Sequence, residues 1–239
     1  MLSRSRGRHP SHNRRHPPER HLILGGTSLI HATARNVDPP AARPMAASPV
    51  RNVMPDEGFT ELTGPRVTLR RFHLGDLATF VAYRSAEPVA RFQSWDAPYP
   101  REEGERFIRA IARQHPDTAG EWFQFAVGLH STGQLIGDCA AMPHADDPRQ
   151  CDIGFTISTE HQGHGYATEA VRMLLTYLFA ARGKHRITAY CDSRNAASAA
   201  LLERLGMRRE GHLRESTWAK GEWTDDLVYA LLREEWQPG

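Results

Sequence analysis

Gly163 and Gly165 stand one residue apart in the stretch Glu160-His161-Gln162-Gly163-His164-Gly165-Tyr166-Ala167-Thr168-Glu169-Ala170. The stretch lies between a strand-like run, Cys151 to Ser158, and a strongly periodic helix that begins near Gly165. That placement suits a phosphate. At a strand-to-helix junction the first helical N–H groups lack intrahelical acceptors, the positive end of the helix dipole points outward, and glycine puts no Cβ in the way. Two other phosphate patterns fit poorly. A nucleotide triphosphatase is disfavoured because the chain has no G-x-x-x-x-G-K-[ST]. A dinucleotide-binding unit is disfavoured because Thr168, not a third glycine, closes the pattern, and no doubly wound repeat surrounds it.

The elements that must hold this loop follow from apolar periodicity. Arg66–Phe72 alternates, with Val67, Leu69 and Arg71 on one face, and predicts a strand after the Gly64-Pro65 turn. Leu77, Phe80 and Val81 mark a short helix, and Pro88 to Pro100 a loop carrying Phe92, Trp95 and Tyr99. Phe107, Ile108 and Ile111 are the inner face of a second helix. Trp122–Leu129 and Gln134–Met142 read as a hairpin around Ser131-Thr132-Gly133. The helix after the glycine loop buries Ala167, Ala170, Val171, Leu174, Leu175 and Leu178 and stops at Gly183. Arg186–Cys191 is a strand, and Asn195 caps a helix that ends at Gly206. Two final strands flank Gly221-Glu222. The resulting order, β α α β β β α β α β β, predicts a mixed α/β sheet.

Composition narrows the class. Of 239 residues 40% are hydrophobic, enough for one sizeable core, and the formal charge is +2. Residues 1–58 hold nine arginines against four acidic residues, whereas the rest of the chain holds 21 basic and 24 acidic residues. The basicity therefore belongs to the N-terminal stretch, and the folded part presents no electrostatic case for nucleic acid. No apolar run reaches the length of a membrane span, and the cytoplasm is the expected compartment. Cys139, Cys151 and Cys191 are widely spaced in apolar surroundings and read as small buried hydrophobes, without a disulfide framework or a metal site. Residues 1–58, rich in Arg, His, Pro and Ser, lack the apolar area to offset ordering entropy. We read them as a disordered extension, with Met45 and Met54 as alternative starts, and 59–239 as one domain.

Five blocks carry a family resemblance: Ile153-Gly154-Phe155, Gln162 through Ala170, Asn195-Ala196-Ala197-Ser198, Leu205-Gly206-Met207 and Gly221-Glu222-Trp223 through Tyr229. Together, in this order, they resemble the GNAT acetyltransferase superfamily, and within it the ribosomal-protein alanine N-acetyltransferase (RimJ/RimL-type) branch. The resemblance covers about residues 60–236. It implies a GNAT fold, α/β (α+β), with a mostly antiparallel twisted sheet of about seven strands, splayed at its centre and flanked by about four helices. It also implies acetyl-CoA as cosubstrate, without a metal, and an amine acceptor, in a monomer or homodimer. The implied acetyl-CoA contacts are Phe155, Thr156 and Ile157 along the pantetheine arm, Gln162, Gly163, His164, Gly165, Tyr166, Ala167 and Thr168 around the pyrophosphate, and Asn195 and Ser198 near the sulfur.

Acetyl transfer to an amine needs a deprotonated nucleophile, a polarised carbonyl and a protonated leaving thiolate. Ser198 is the candidate donor to the sulfur. Glu215 and Asp152 are candidate bases. Relatives carry a glutamate two residues beyond Glu215, where this chain has Thr217, and alternation would put both positions on one strand face. Phe92, Trp95 and Tyr99 are candidate walls of the acceptor pocket. A protein N-terminal amine is the leading acceptor. A small-molecule amine such as an antibiotic or polyamine, and a CoA-binding module without turnover, are the alternatives. Deleting residues 1–44 is expected to leave activity and melting temperature nearly unchanged, and a large loss of either would make that stretch part of the fold.

Overall fold

Alternation along the strands and periodicity along the helices sort the apolar side chains into two clusters, one on each face of a single sheet. The computed structural model describes Phe59 and residues 61–238. The expected disorder of residues 1–58, and most of the expected domain boundary, lie outside the described residues. The strands are β1 (Glu61–Thr63), β2 (Val67–Arg70), β3 (Phe123–Leu129), β4 (Leu135–Pro143), β5 (Gln150–Ile157), β6 (Arg186–Asp192), β7 (Arg208–Ala219) and β8 (Glu222–Leu232). The helices are α1 (Leu77–Arg84), α2 (Glu87–Ala90), α3 (Arg101–Ile111), α4 (Tyr166–Thr176) and α5 (Ala196–Arg204). The sheet order is β1-β2-β3-β4-β5-β6-β8-β7. Only the β5–β6 contact at its centre is parallel; every other neighbour is antiparallel.

The expected mixed, mostly antiparallel sheet is present, with one more strand and one more helix than the sequence suggested. β1 is three residues long and too short to show alternation. α2 lies inside the Pro88–Pro100 segment read as loop, entered through Glu87 with Pro88 in its first turn, where the missing N–H is harmless.

Each face of the sheet has its own layer. Phe123, Phe125 and Val127 of β3 point to α4, together with Val67 and Leu69 of β2 and Ala170, Val171, Leu174 and Leu175 of the helix itself. Ala126 of β3 points the other way, to Phe80 and Tyr83 of α1 and Phe107, Ile108 and Ile111 of α3. α5 packs behind β6 and β7. Past Thr176 the helical path widens into a π turn over Tyr177–Ala181 before Gly183 (φ 64°) turns the chain toward β6. All three cysteines are buried thiols, and burial pushes Cys151 and Cys191 up to about 12.

The central parallel contact is short. β5 pairs with β6 only from Gln150↔Arg186 to Ile153↔Ala189. Beyond it Gly154–Ile157 stay bonded to β4, while Tyr190–Asp192 stay bonded to β8. The two strands fork, as the splayed sheet of the resemblance requires. β4 lies close against β5 at this point: a Cβ added to Gly137 would overlap the carbonyl oxygen of Thr156 and come within 2.9 Å of the Ile157 Cα. Gly137→Ala is therefore expected to push β4 from the forked half of β5 and cost about 1–3 kcal/mol, a melting-point loss of several degrees by calorimetry.

Candidate active site

Four features meet at the fork. The first is the edge of β5 over Gly154–Ile157, whose backbone groups on the open side have no partner strand. The second is the glycine loop at the end of that strand. Gln162 ties it back by donating its Nε2 to the Ile157 carbonyl at 2.9 Å, and His161 Nδ1 lies 2.8 Å from Ser158 Oγ. Gly163 (φ 78°) and Gly165 (φ 80°) both adopt the left-handed conformation that side chains disfavour. Gly165 is the N-cap of α4, and the backbone N–H groups of Gly163 to Thr168 find no acceptor among the described residues. The space over Gly163 is open: a Cβ there would meet no atom within 4 Å. An anion fits this cradle on donors, dipole and clearance together.

The third feature fixes the loop from behind. Glu169, one turn into α4, accepts the N–H of Arg66 at 2.7 Å, the Nε of Arg66 at 2.7 Å and the N–H of Val67 at 3.1 Å. Arg66 in turn donates Nη1 to the His164 carbonyl at 2.9 Å and lies over the Tyr166 ring. Burial works to raise the Glu169 carboxyl, but these donors prevail and hold it below the ordinary range. The loop is thus locked to the start of β2, about a hundred residues earlier. Glu169 was quoted in the motif without this role, and Arg66 was missed, because neither residue's neighbours signal the other. His164 stacks its ring on Tyr166.

The fourth feature is a cavity of about 520 Å³ between the fork, the Glu87–Asp96 segment and the β7–β8 hairpin. Of the residues singled out from sequence, Phe92, Phe155, Thr156, Asn195 and Ser198 line it, whereas Ile157 and Gln162 to Thr168 do not. Asn195 Oδ1 accepts the Ser198 N–H at 3.1 Å, so the asparagine caps α5 and sets the serine in its first turn.

The remaining candidates lie elsewhere. Glu215 is outside the lining: it has φ 46°, and its N–H is held by Asp225 Oδ1 at 2.8 Å. The expectation that positions 215 and 217 share a strand face is overturned, since a register shift between Leu213 and Thr217 breaks the alternation. Thr217 does line the cavity, and its hydroxyl donates to Asp226 at 2.7 Å. Asp152 lies on the paired half of β5, outside the lining, with Oδ1 at 2.9 Å from His144 Nε2. Burial raises the Asp152 carboxyl, opposed by His144. Trp95 and Tyr99 are buried around Arg84 beneath the cavity and do not line it. The cavity also has liners the sequence reading passed over, among them Asp138, Arg194, Trp218 and Lys220. Arg194 joins Asp192 to Glu222, and Lys220 reaches Asp96 and the Trp95 carbonyl, so three ion pairs lie along the cavity rim.

The profile of the family described as "Acetyltransferase (GNAT) domain" matches residues 66–208, more than half of the chain. The chain belongs to the GNAT acetyltransferase family. It is 29% identical over 175 residues to the uncharacterized N-acetyltransferase YnaD of Bacillus subtilis, covering 73% of this chain and 98% of that protein. It is 34% identical over 89 residues to the ribosomal protein uS5-alanine N-acetyltransferase of Escherichia coli, covering 37% of this chain and 46% of that protein. Among solved structures, an acetyltransferase (GNAT family) from Bacillus anthracis superposes with a TM-score of 0.66 at 26% identity, over 74% of this chain and all of that one. The GNAT chain is thus an N-acetyltransferase that uses acetyl-CoA, and its glycine cradle and unpaired β5 edge are chemically suited to the pyrophosphate and the pantetheine amides. Gly163→Ala puts a methyl into the open space of the cradle. It is expected to cost about 1 kcal/mol of stability through the left-handed backbone, while acetyl-CoA affinity by calorimetry falls at least about tenfold. Unchanged affinity would remove the cradle from the site.

Proposed function

We propose that this N-acetyltransferase acetylates the α-amine of a peptide or protein N-terminus. The observation that carries this reading is the continuity of one cavity from the β5–β6 fork and Ser198 to the Glu87–Asp96 segment, with a lining of six carboxylates against three cations, Arg91, Arg194 and Lys220. The fork is suited to the thioester arm, and the excess of carboxylates in the lining suits an incoming ammonium. An α-amine has a pKa near 8 and surrenders its proton to a weak base, whereas a lysine-type amine near 10.4 needs a stronger one. Glu215, one of the two candidate bases, lies outside the cavity lining, which favours the more acidic ammonium. The local likeness to a ribosomal-protein alanine N-acetyltransferase points the same way.

In this reading the thioester supplies the acetyl group. Gln162–Thr168 hold the phosphates, and Phe155, Thr156 and Ile157 hold the arm. Phe92 walls the acceptor side. Asn195 orients Ser198, whose hydroxyl donates a hydrogen bond toward the departing sulfur. Thiol release from acetyl-CoA is expected with peptides carrying a free α-amine and not with the same peptides blocked at Nα but bearing lysine. Ser198→Ala is expected to lower kcat by about 10²-fold with little change in acetyl-CoA affinity. Release with a polyamine and with no free-amine peptide would overturn the acceptor assignment.

A further inference from the structure

Asp138 is a carboxylate in the middle of the apolar strand β4, 4% exposed, and its side chain opens on the cavity floor. Its cross-strand partner on β5 is Thr156, at the forked half of that strand, and its partner on β3 is Ala126, which carries no charge. Tyr83 of α1 donates its hydroxyl to Asp138 Oδ2 at 2.5 Å in a buried hydrogen bond. Next along α1 is Arg84, 1% exposed, whose guanidinium lies 4.0 Å from the Trp95 ring centroid and 4.3 Å from that of Phe80, with Tyr99 and Phe107 completing an aromatic box. Arg84 Nε and Nη2 have no hydrogen-bond partner. A carboxylate, a phenol and a cation are therefore packed together, next to the fork, in a region that an apolar cluster would fill at lower cost.

We propose that Asp138 is the catalytic proton acceptor for the incoming amine, with Tyr83 and Arg84 as its positioning residues. The inference rests on the acetyl-transfer reading above. The ammonium gives one proton to the Asp138 carboxylate, and the neutral nitrogen forms the C–N bond as the C–S bond breaks. The second nitrogen proton replaces the charge on the departing sulfur, through Ser198. The products are amide and free thiol, and Asp138 returns its proton to solvent, so one proton is released per turnover.

The titratable and charged groups that face Asp138 are Tyr83 and Arg84 on α1 and Tyr99 beyond α2, while Cys139, next on its own strand, points to the opposite face. Burial raises the carboxyl, while the Arg84 charge and the Tyr83 hydrogen bond lower it. A raised carboxyl is a better base near neutrality, active above its pKa and lost as pH falls through it. Removing the phenol must raise it further.

The test compares wild type, Asp138→Asn and Tyr83→Phe, each checked for its melting temperature. Asp138→Asn is expected to lower kcat/KM by about 10²–10⁴-fold and to remove the acidic limb of its pH profile. Tyr83→Phe, if folded, is expected to move that limb to higher pH, which a packing role would not do. Asp138→Asn within about threefold of wild type, or a Tyr83→Phe limb that stays in place, would overturn the proposal while leaving acetyl transfer intact. A wild type that releases no thiol with any amine would instead sink the acceptor reading.

Discussion

The short parallel contact between β5 and β6 is the constraint on which the rest of the structure depends. Four residue pairs join the strands before they separate. A sheet can fork only if each arm is secured on its outer side. β5 is paired with β4 along Cys151–Ile157, and β6 with β8 along Arg186–Asp192. Helices back the fork as well: α4 contacts β5, α5 contacts β6, and the two helices touch each other. The sheet thus stays one body while leaving backbone donors and acceptors of Gly154–Ile157 without a strand partner. Such groups are costly to bury unpaired, so an arrangement that keeps them open toward a cavity favours a ligand with amides of its own.

The same fork explains why the anion cradle must be locked from elsewhere. The loop leaves β5 on its unpaired side, so the sheet alone cannot fix its height. Glu169 and Arg66 do that work by tying the first turn of α4 to the first residues of β2, and the buried face of α4 carries the register into the core. The left-handed glycines lie at the outer end of this rigid unit, where their freedom is used for approach rather than motion.

What could be read from sequence was local. The glycine loop, the Asn195 cap, the α4 stripe and the element order all rest on spacing within about fifteen residues, and the fold they implied is the fold observed. What escaped was non-local or irregular. β1 is too short for a pattern, and the Leu213–Thr217 bulge defeats alternation, which misplaced Glu215 relative to Thr217. The family resemblance implies Trp95 and Tyr99 as acceptor walls, yet neither lines the cavity. They serve one layer deeper, because a buried arginine on α1 draws aromatic faces around it. A usable signal was present for Asp138: a lone carboxylate inside Leu135-Ile136-Gly137-Asp138-Cys139-Ala140-Ala141 breaks an otherwise apolar strand.

That buried charge shows how the parts of the site differ. The cradle and the β5 edge are built from backbone: N–H groups, a helix dipole and an unpaired strand edge, none of which titrates. The cavity floor is built from side chains, with Asp138 in the lining, Tyr83 hydrogen-bonded to it and Arg84 held against four rings. Stability alone does not account for Arg84, since desolvating a guanidinium with two unpartnered nitrogens works against folding. Ring faces return part of that cost through cation–π attraction. The field of the guanidinium is felt at Asp138 and opposes the rise that burial causes. An aromatic box that retains a cation next to a buried carboxylate therefore tempers the proton affinity that burial gives the cavity floor.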